Sequence, residues 1–379
     1  MTAQPKQQEQ QEQELLKLRI QIDAIDQQIH QLINQRASCA QQVAVVKEKF
    51  QGIDDAVFYR PEREAQVLRK VMERNEGPLE DKAIARLFRE VMSVCLAHEK
   101  PLQIAYLGPA GAFAQLASHK HFGNSAMTIA VNSLDQVFKE VENGVVNYGV
   151  VPIDNSTQGV ANQTLDLFKR YSLNICGEVD LDVQLHLYAS GKDPQNNLAL
   201  PDVKKVYALS ETLNQCSKWL DKHCPCATRI ALTTLEQAQQ MAESEESSAV
   251  IASDGAISLQ LRILAQNISS SSNEHKARFL IVGRQHITPS GVDKTSILIA
   301  TKDQPGALYS LLAPFREHEI SLTRIDTYTG ESVLGAGCSV FYIDFEGHKS
   351  EPTIQSILQQ LTTNCVEMKI LGSYPRAVL

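Results

Sequence analysis

The sequence lacks the short motifs that identify most enzymes of nucleotide, metal or acyl chemistry. It contains no GxGxxG or GxxxxGK[ST] loop for phosphate groups and no GxSxG turn for a serine nucleophile. Its eight cysteines form no CxxC pair, and Cys224 and Cys226 have no histidine cluster near them, so reduced thiols are expected rather than a metal site. An enzyme with this sequence would therefore work without a metal or a cofactor.

Long hydrophobic runs and an excess of positive charge are also missing. No apolar stretch approaches the roughly 18 to 20 residues of a membrane helix, and the Gln- and Glu-rich residues 1–14 lack the regions of a signal peptide. The net charge of -8 argues against nucleic acid or an acidic membrane surface as the partner. We expect a cytoplasmic protein of several domains, with residues 1–14 as a disordered leader.

Glycine and proline are almost absent from residues 15–100, where helix-forming residues dominate. Apolar residues there recur in alternating steps of three and four, which is typical of a long helix packed lengthwise on others. This seam comprises Leu15, Leu18, Ile22, Ile25, Ile29, Leu32, Cys39, Val43, Val46 and Phe50. Pro61 and Pro78 mark the starts of a second and a third helix. The pattern predicts an all-α domain over residues 15–100.

Arg36 occupies a position in this apolar seam. It could pair with a carboxylate on a neighbouring helix, because an unpaired buried arginine is costly. Lys47 lies eleven residues on, about three turns along nearly the same face, so the two cations could instead close on a small dianion. Arg19 is too far along the axis to join them, but it could reach the equivalent pocket of a second subunit. The seam therefore predicts an intertwined dimer with shared sites.

After Pro101 short β-rich runs alternate with amphipathic helices. This order predicts an α/β domain with a mostly parallel sheet over residues 102–285. Beyond Pro289 the order becomes strand, helix, strand, strand, helix, strand, which is the βαββαβ ferredoxin-like arrangement, over residues 294–375. The sequence thus predicts three domains after the leader.

The first domain resembles the helical chorismate mutases. The resemblance rests on Leu18-Arg19, Leu32-Ile33-Asn34-Gln35-Arg36, Val46-Lys47 and Tyr59-Arg60-Pro61-Glu62-Arg63-Glu64, and it extends from Leu15 to Glu99. It implies that Arg19 of the partner subunit, Arg36 and Arg63 hold the two carboxylates of chorismate. Lys47 would face the ether oxygen and Glu64 the ring hydroxyl, while Cys95 and Glu99 would complete the pocket. Arg60 stands where the family often has Asp.

The chemistry that the resemblance implies agrees with the missing motifs. Conversion of chorismate into prephenate is a pericyclic rearrangement that needs neither a nucleophile nor a proton transfer. It is helped by holding the reactive conformer and by stabilising the negative charge that develops on the ether oxygen. A charged bundle that serves only for dimerisation is the alternative.

The second domain resembles the prephenate dehydratases, which fold as two α/β lobes around a cleft. Matching segments include 107–113, 151–156, Gln215-Cys216 and Ala277-Arg278-Phe279. The resemblance places Asp154, Asn155 and Gln215 in the cleft, with Arg278 and Phe279 as substrate-binding residues. Ala277 stands at the family's Thr, which is thought to donate a proton to the departing hydroxyl.

Several hydroxyls of that family are replaced by methyl groups. Ala277 and Ala208 stand where the family has Thr and Ser, and methyl groups cannot donate protons. Three interpretations follow: slow dehydration to phenylpyruvate through Asp154 or a water, another reaction of prephenate such as decarboxylation, or ligand binding alone. A sensor of small molecules with a vestigial mutase is a further alternative.

The third domain resembles the ACT regulatory domains. The family binds phenylalanine between two subunits through a Gly-Ala-Leu turn, here Gly306-Ala307-Leu308, and through a Glu-Ser-Arg-Pro motif that reads Asp326-Thr327-Tyr328-Thr329. The implied ligand is phenylalanine or another amino-acid effector. Because the Arg is missing, an ACT fold kept only for dimerisation is the alternative.

Overall fold

The computed structural model describes residues 4–51, 58–108, 113–153, 158–182, 184–190, 199–253, 261–268, 276–328 and 338–379. Three helices come first and are followed by three β-sheets with their covering helices. Within these ranges, none of the helices combines the length and the apolar character needed to cross a membrane. The chain is therefore a helical region followed by α/β structure.

The helical region contains α1 (Gln4–Gln51), α2 (Pro61–Glu73) and α3 (Asp81–Glu99). The long first helix agrees with the heptad pattern, but it begins at Gln4, whereas residues up to 14 were predicted to form a disordered leader. That prediction is wrong for residues 4–14, because Gln, Glu and Lys are good helix formers and this segment has no glycine to interrupt them. Pro5 is tolerated because it lies in the first turn.

The first α/β lobe contains β1 (Gln103–Leu107), α4 (Phe113–Phe122), β2 (Met127–Val131), α5 (Leu134–Glu142), β3 (Tyr148–Pro152), α6 (Gln158–Arg170) and β4 (Asn174–Asp182). The Ser133 hydroxyl caps α5 by accepting a hydrogen bond from the Gln136 amide.

The second lobe contains β5 (Leu185–Ser190), β6 (Lys205–Leu209), α7 (Ser210–Gln215), α8 (Ser217–His223), β7 (Thr228–Leu232), α9 (Leu235–Ser244), β8 (Ser248–Ser253) and β9 (Leu261–Ala265). The chain then returns to the first lobe as β10 (Lys276–Gly283). Helices α7 and α8 are separate, because the chain leaves helical geometry at Cys216.

Both lobe sheets are mixed rather than mostly parallel. The first has the order β2-β1-β3-β10-β4 and the second β7-β6-β8-β5-β9. In each, two neighbouring pairs are parallel and two are antiparallel. The prediction was wrong because β10 in the first sheet and β5 in the second each enter from the other lobe and run opposite to both of their neighbours. A sequence pattern cannot show such a return.

The last region contains β11 (Asp293–Lys302), α10 (Ala307–Glu317), β12 (Leu322–Tyr328), β13 (Cys338–Glu346), α11 (Pro352–Asn364) and β14 (Glu367–Pro375). Its antiparallel sheet has the strand order β12-β13-β11-β14. Along the chain, the order strand, helix, strand, strand, helix, strand is the one predicted from the sequence. An apolar cluster continues from the first lobe into this sheet through Ile175, Tyr342 and Tyr374. The two parts therefore share a core.

The helical region packs on the first lobe and on the C-terminal region. Arg69 on α2 donates hydrogen bonds to the carbonyl oxygens of Val292 at 2.9 Å and Arg376 at 3.4 Å, and to the Ser290 hydroxyl at 3.1 Å. On α3, Arg89 donates to the carbonyl oxygen of Lys120 in α4 at 2.7 Å. These contacts fix α2 and α3 against the rest of the chain.

Candidate functional site

Two cations of α1 lie within electrostatic reach of one carboxylate at the end of α3. Arg36 and Lys47, eleven residues apart on α1, both act electrostatically on Glu99 of α3. Lys47 is half-buried and donates a hydrogen bond to the carbonyl oxygen of Phe58 at 3.3 Å. The structure therefore brings together three of the residues that the sequence assigned to one pocket.

Burial and charge act in opposite directions on this pair. Burial lowers the pKa of the Lys47 ammonium, and Arg60 lowers it further, while Glu99 partly offsets them. Burial raises the pKa of the Glu99 carboxyl, and its effect exceeds the opposing ones of Lys47 and Arg36. A protonated Glu99 is thus favoured here more than on an exposed helix.

The remaining residues of the predicted pocket are spread over the three helices. Cys95 is buried one turn before Glu99, on the same face of α3. Arg60 is exposed and lies 3.8 Å from Glu62, although its charge reaches Lys47. Arg63 is exposed on α2. Arg19 is exposed on α1, about 25 Å along the helix axis from Arg36.

Glu64 points elsewhere in this single chain. Its Oε1 accepts a hydrogen bond from Arg89 Nε at 3.1 Å, and its side chain is only 14% exposed. Burial raises the pKa of this carboxyl, and Arg89 partly counteracts the effect. The predicted contact between Glu64 and a ring hydroxyl would require this ion pair to open.

Glu64 lines a cavity between the helical region and the α/β parts. The same cavity is lined by Arg89, His121, Glu178 and the C-terminal residues 375–379. Tyr59 also belongs to this lining, and its hydroxyl lies 3.1 Å from His121 Nε2. Burial, with a smaller effect of Arg89, lowers the pKa of His121 to about 3, so its imidazole is neutral at physiological pH.

The second candidate site lies where the two lobes meet. Phe279 and Ala208 belong to one apolar cluster that joins the lobes, and Ala277 packs against it. Gln215 ends α7, next to Cys216 of the same cluster. Asp154 and Asn155, which the sequence assigned to this cleft, lie outside the described residues.

Arg278 faces away from this cluster. Neighbouring residues of a strand point to opposite sides, and here Ala277 and Phe279 share the side of the lobe–lobe cluster. The Arg278 guanidinium instead forms ion pairs with Glu178 at 2.6 Å and with Asp344 of the C-terminal sheet. The predicted direct contact of Arg278 with substrate does not fit this placement.

The C-terminal residues of the predicted effector site are accessible. Gly306 caps α10 in the left-handed region at φ +82°, which favours glycine, and Ala307 and Leu308 open the helix. Asp326 on β12 forms an ion pair with Arg324. Tyr328, at the position of the missing Arg, donates a hydrogen bond to Asp166 of α6. Thr329 lies outside the described residues.

Sequence reasoning missed the residues that join the domains: Tyr59, Arg89, His121, Glu178 and Asp344. One signal was present, because Asp344 is a charge within the apolar strand β13 and therefore needs a buried partner. Among the described residues, no group of three or more His, Cys, Asp or Glu side chains could hold a metal ion.

Two family models match the chain in succession. The model described as chorismate mutase type II matches residues 18–100, and the model described as prephenate dehydratase matches residues 104–287. The first covers the α1–α3 cluster, and the second covers both α/β lobes.

Full-length relatives combine the same two parts. The bifunctional chorismate mutase/prephenate dehydratase of Pseudomonas aeruginosa is 46% identical over 97% of this chain and 99% of its own length. The protein of the same name from Stutzerimonas stutzeri is 45% identical over the same shares. Among solved structures, the prephenate dehydratase of Arthrobacter aurescens in complex with L-Phe matches with a TM-score of 0.61 and 26% identity, covering 73% of this chain and 90% of that one.

Proposed function

The chain belongs to the bifunctional chorismate mutase/prephenate dehydratase family, and from that premise we propose that α1–α3 convert chorismate into prephenate in phenylalanine biosynthesis. The observation that carries this proposal is that Arg36 and Lys47 of α1 both lie within electrostatic reach of Glu99 on α3. The two cations suit a substrate with two carboxylates.

The proposed mechanism is electrostatic. Arg36, Arg63 and the partner's Arg19 bind the two carboxylates and hold the reactive conformer, which lowers the entropic part of the barrier. As the ether bond breaks, Lys47 stabilises the negative charge that develops on its oxygen, and protonated Glu99 donates a hydrogen bond to the same atom. Cys95 lines the pocket beside Glu99. No cofactor is needed for this reaction.

The site is completed by a second copy of the chain. The apolar residues of α1 are left uncovered in one chain: Ile22 is 55% exposed, Leu32 62% and Phe50 77%. Exposed apolar seams of this length are unusual in monomers and mark an interface. Two antiparallel α1 helices would bury them and would bring Arg19 of each chain to the pocket of the other.

The lobe–lobe site is proposed to take prephenate as its substrate. A hydroxyl at position 277 would protonate the departing ring hydroxyl, but Ala277 and Ala208 carry methyl groups there. We expect slow dehydration to phenylpyruvate, through Asp154 or a water. Decarboxylation of prephenate without dehydration, or binding alone, would give a different product or none.

The C-terminal sheet is proposed to be an ACT domain that binds an amino-acid effector. Its support is the left-handed Gly306 before α10 and the βαββαβ order. Phenylalanine is the first ligand to test, because the similar Arthrobacter aurescens structure contains it. Tyr328 in place of the family's Arg makes weaker binding of phenylalanine the expected result.

One assay tests the proposed activities together. Purified protein is supplied with chorismate, and the loss of chorismate and the appearance of prephenate, phenylpyruvate and CO2 are followed separately. Rapid loss of chorismate with slow phenylpyruvate formation supports the proposal. Stable chorismate would contradict the mutase, and CO2 release without phenylpyruvate would favour decarboxylation.

A further inference from the structure

Arg278 lies in a strand of the first lobe whose two sides face different parts of the protein. It lies in β10 between β3 and β4, and its side chain is only 8% exposed. On the other side of the strand, Ala277 and Phe279 face the cluster between the lobes. A change in the position of Arg278 is therefore transmitted through the backbone to Ala277 and Phe279, which stand at the family's cleft positions.

The partners of Arg278 come from both domains. Nη2 donates to Glu178 Oε2 of β4 at 2.6 Å and to the Tyr374 hydroxyl of β14 at 3.2 Å, and Nη1 donates to Asp344 of β13. Lys294 of β11 reaches the other oxygen of Glu178 at 2.8 Å. The guanidinium thus joins one strand of the first lobe to two strands of the C-terminal sheet.

The charges in this network compensate one another. Two cations face two carboxylates, and the Glu178 and Asp344 side chains are at most 1% exposed. Burial alone would raise the pKa of Glu178, but Arg278 and Lys294 hold it below its usual range. Removing one member would leave an uncompensated charge in the interior, so the network holds the strands in one register.

The two sheets are also in close contact beside the network. A Cβ atom on Gly372 of β14 would lie 2.3 Å from the carbonyl oxygen of Ile175 in β4, so only glycine allows this approach. The C-terminal sheet therefore cannot shift against the first lobe without disturbing β4 and β10.

We propose that Arg278 is a positioning residue of the lobe–lobe site, which fixes β10 to the C-terminal sheet through Asp344 and so places Ala277 and Phe279 opposite the second lobe. The identity of the cleft ligand rests on the proposed function, whereas the coupling between Asp344 and β10 does not. The C-terminal sheet thereby acts on the cleft through one guanidinium.

The coupling is tested first without any ligand. Hydrogen exchange is measured on the full chain carrying Asp344→Asn, with Glu346→Gln as the matched control, since Glu346 is on the same strand but pairs with the exposed Arg376. Amides of β10 should exchange about ten times faster in Asp344→Asn and unchanged in the control. Unchanged β10 exchange in Asp344→Asn would overturn the proposal. Normal mutase turnover in the same sample shows that the chain is folded.

The second measurement uses prephenate. Trp219 is the single tryptophan and packs against the lobe–lobe cluster, so its fluorescence reports binding there without any turnover. Arg278→Lys and Asp344→Asn should each weaken prephenate binding about tenfold, and the double variant should be no worse than either single one. Additive losses would show that Arg278 contacts the ligand directly and would overturn the proposal. If the unmodified protein does not bind prephenate, the proposed cleft ligand is wrong, and the exchange measurement still decides the coupling.

Discussion

Lys47 of α1 lies within electrostatic reach of Glu99 of α3, and each charge favours the ionised form of the other group by shifting its pKa. Burial opposes both effects and prevails, so the carboxyl retains its proton to higher pH than an exposed glutamate does. This relationship decides in which state the proposed mutase site works.

Glu99→Gln should change how mutase activity depends on pH. Only protonated Glu99 can donate to the ether oxygen, so the rate should fall as pH rises through the raised pKa of this carboxyl. Gln donates at every pH, so the variant should show a flat profile and higher activity at neutral pH. The measurement is kcat/KM for chorismate from pH 5 to 8. Parallel profiles for the two proteins would exclude Glu99 from the site.

Arg36→Ala and Lys47→Ala should each lower mutase turnover by about 100-fold, because each removes one charge-stabilising contact. Lys49→Ala is the matched control, since Lys49 lies on α1 two residues after Lys47 but is exposed. Chorismate loss is followed for all three variants, with circular dichroism to verify folding. Near-normal turnover by Arg36→Ala would contradict the site.

Mixing Arg19→Ala and Arg36→Ala subunits should restore activity. Each homodimer lacks one cation in both sites, whereas a mixed dimer has one intact site. Random exchange should therefore recover about a quarter of normal activity. Mass spectrometry verifies that exchange has occurred. No recovery after exchange would show that each site lies within one chain.

The sequence predicted the helical pocket better than the contacts between domains. The resemblance placed Lys47 and Glu99 in one pocket, and helix periodicity put Lys47 on nearly the same side of α1 as Arg36 and Glu99 on the same side of α3 as Cys95. The pairing of Glu64 with Arg89 could not be predicted, since it depends on how α2 and α3 pack on α4. Short-range patterns carry no information on such packing.

For the α/β part, strand alternation held more information than the resemblance. The resemblance treated Ala277, Arg278 and Phe279 as one cleft motif, but a period of two puts the middle residue on the opposite side of β10.

Ala277→Thr should raise phenylpyruvate formation from prephenate by roughly 100-fold, because a positioned proton donor contributes about that much. Ala277→Val is the matched control: it has the same branched shape without the hydroxyl. Faster phenylpyruvate formation by Ala277→Thr but not by Ala277→Val would show that the hydroxyl is the missing proton donor. If the unmodified protein already dehydrates prephenate as fast as it makes it, the methyl group is no obstacle.

His121→Gln should make the protein less sensitive to acid. The folded protein keeps His121 neutral down to a pKa of about 3, whereas in the unfolded chain its imidazole gains the proton near the ordinary pKa of 6.5. Between these values the unfolded state binds more protons, so the free energy of unfolding falls as pH falls through this window. From pH 7 to 5 this amounts to roughly 2 kcal/mol, at about 1.4 kcal/mol per unit below 6.5.

Gln removes this pH dependence because it does not titrate, and its amide can still form a hydrogen bond with the Tyr59 hydroxyl. Urea unfolding at pH 7 and pH 5 measures the difference, and His98→Gln is the matched control because His98 is exposed on α3. The acid-induced loss of stability should be smaller in His121→Gln than in the unmodified protein and unchanged in His98→Gln. Equal losses in all three proteins would mean that His121 takes up a proton in the folded state as readily as in the unfolded one. In mild acid the protonated Nε2 of His121 would then donate a hydrogen bond to the Tyr59 hydroxyl oxygen.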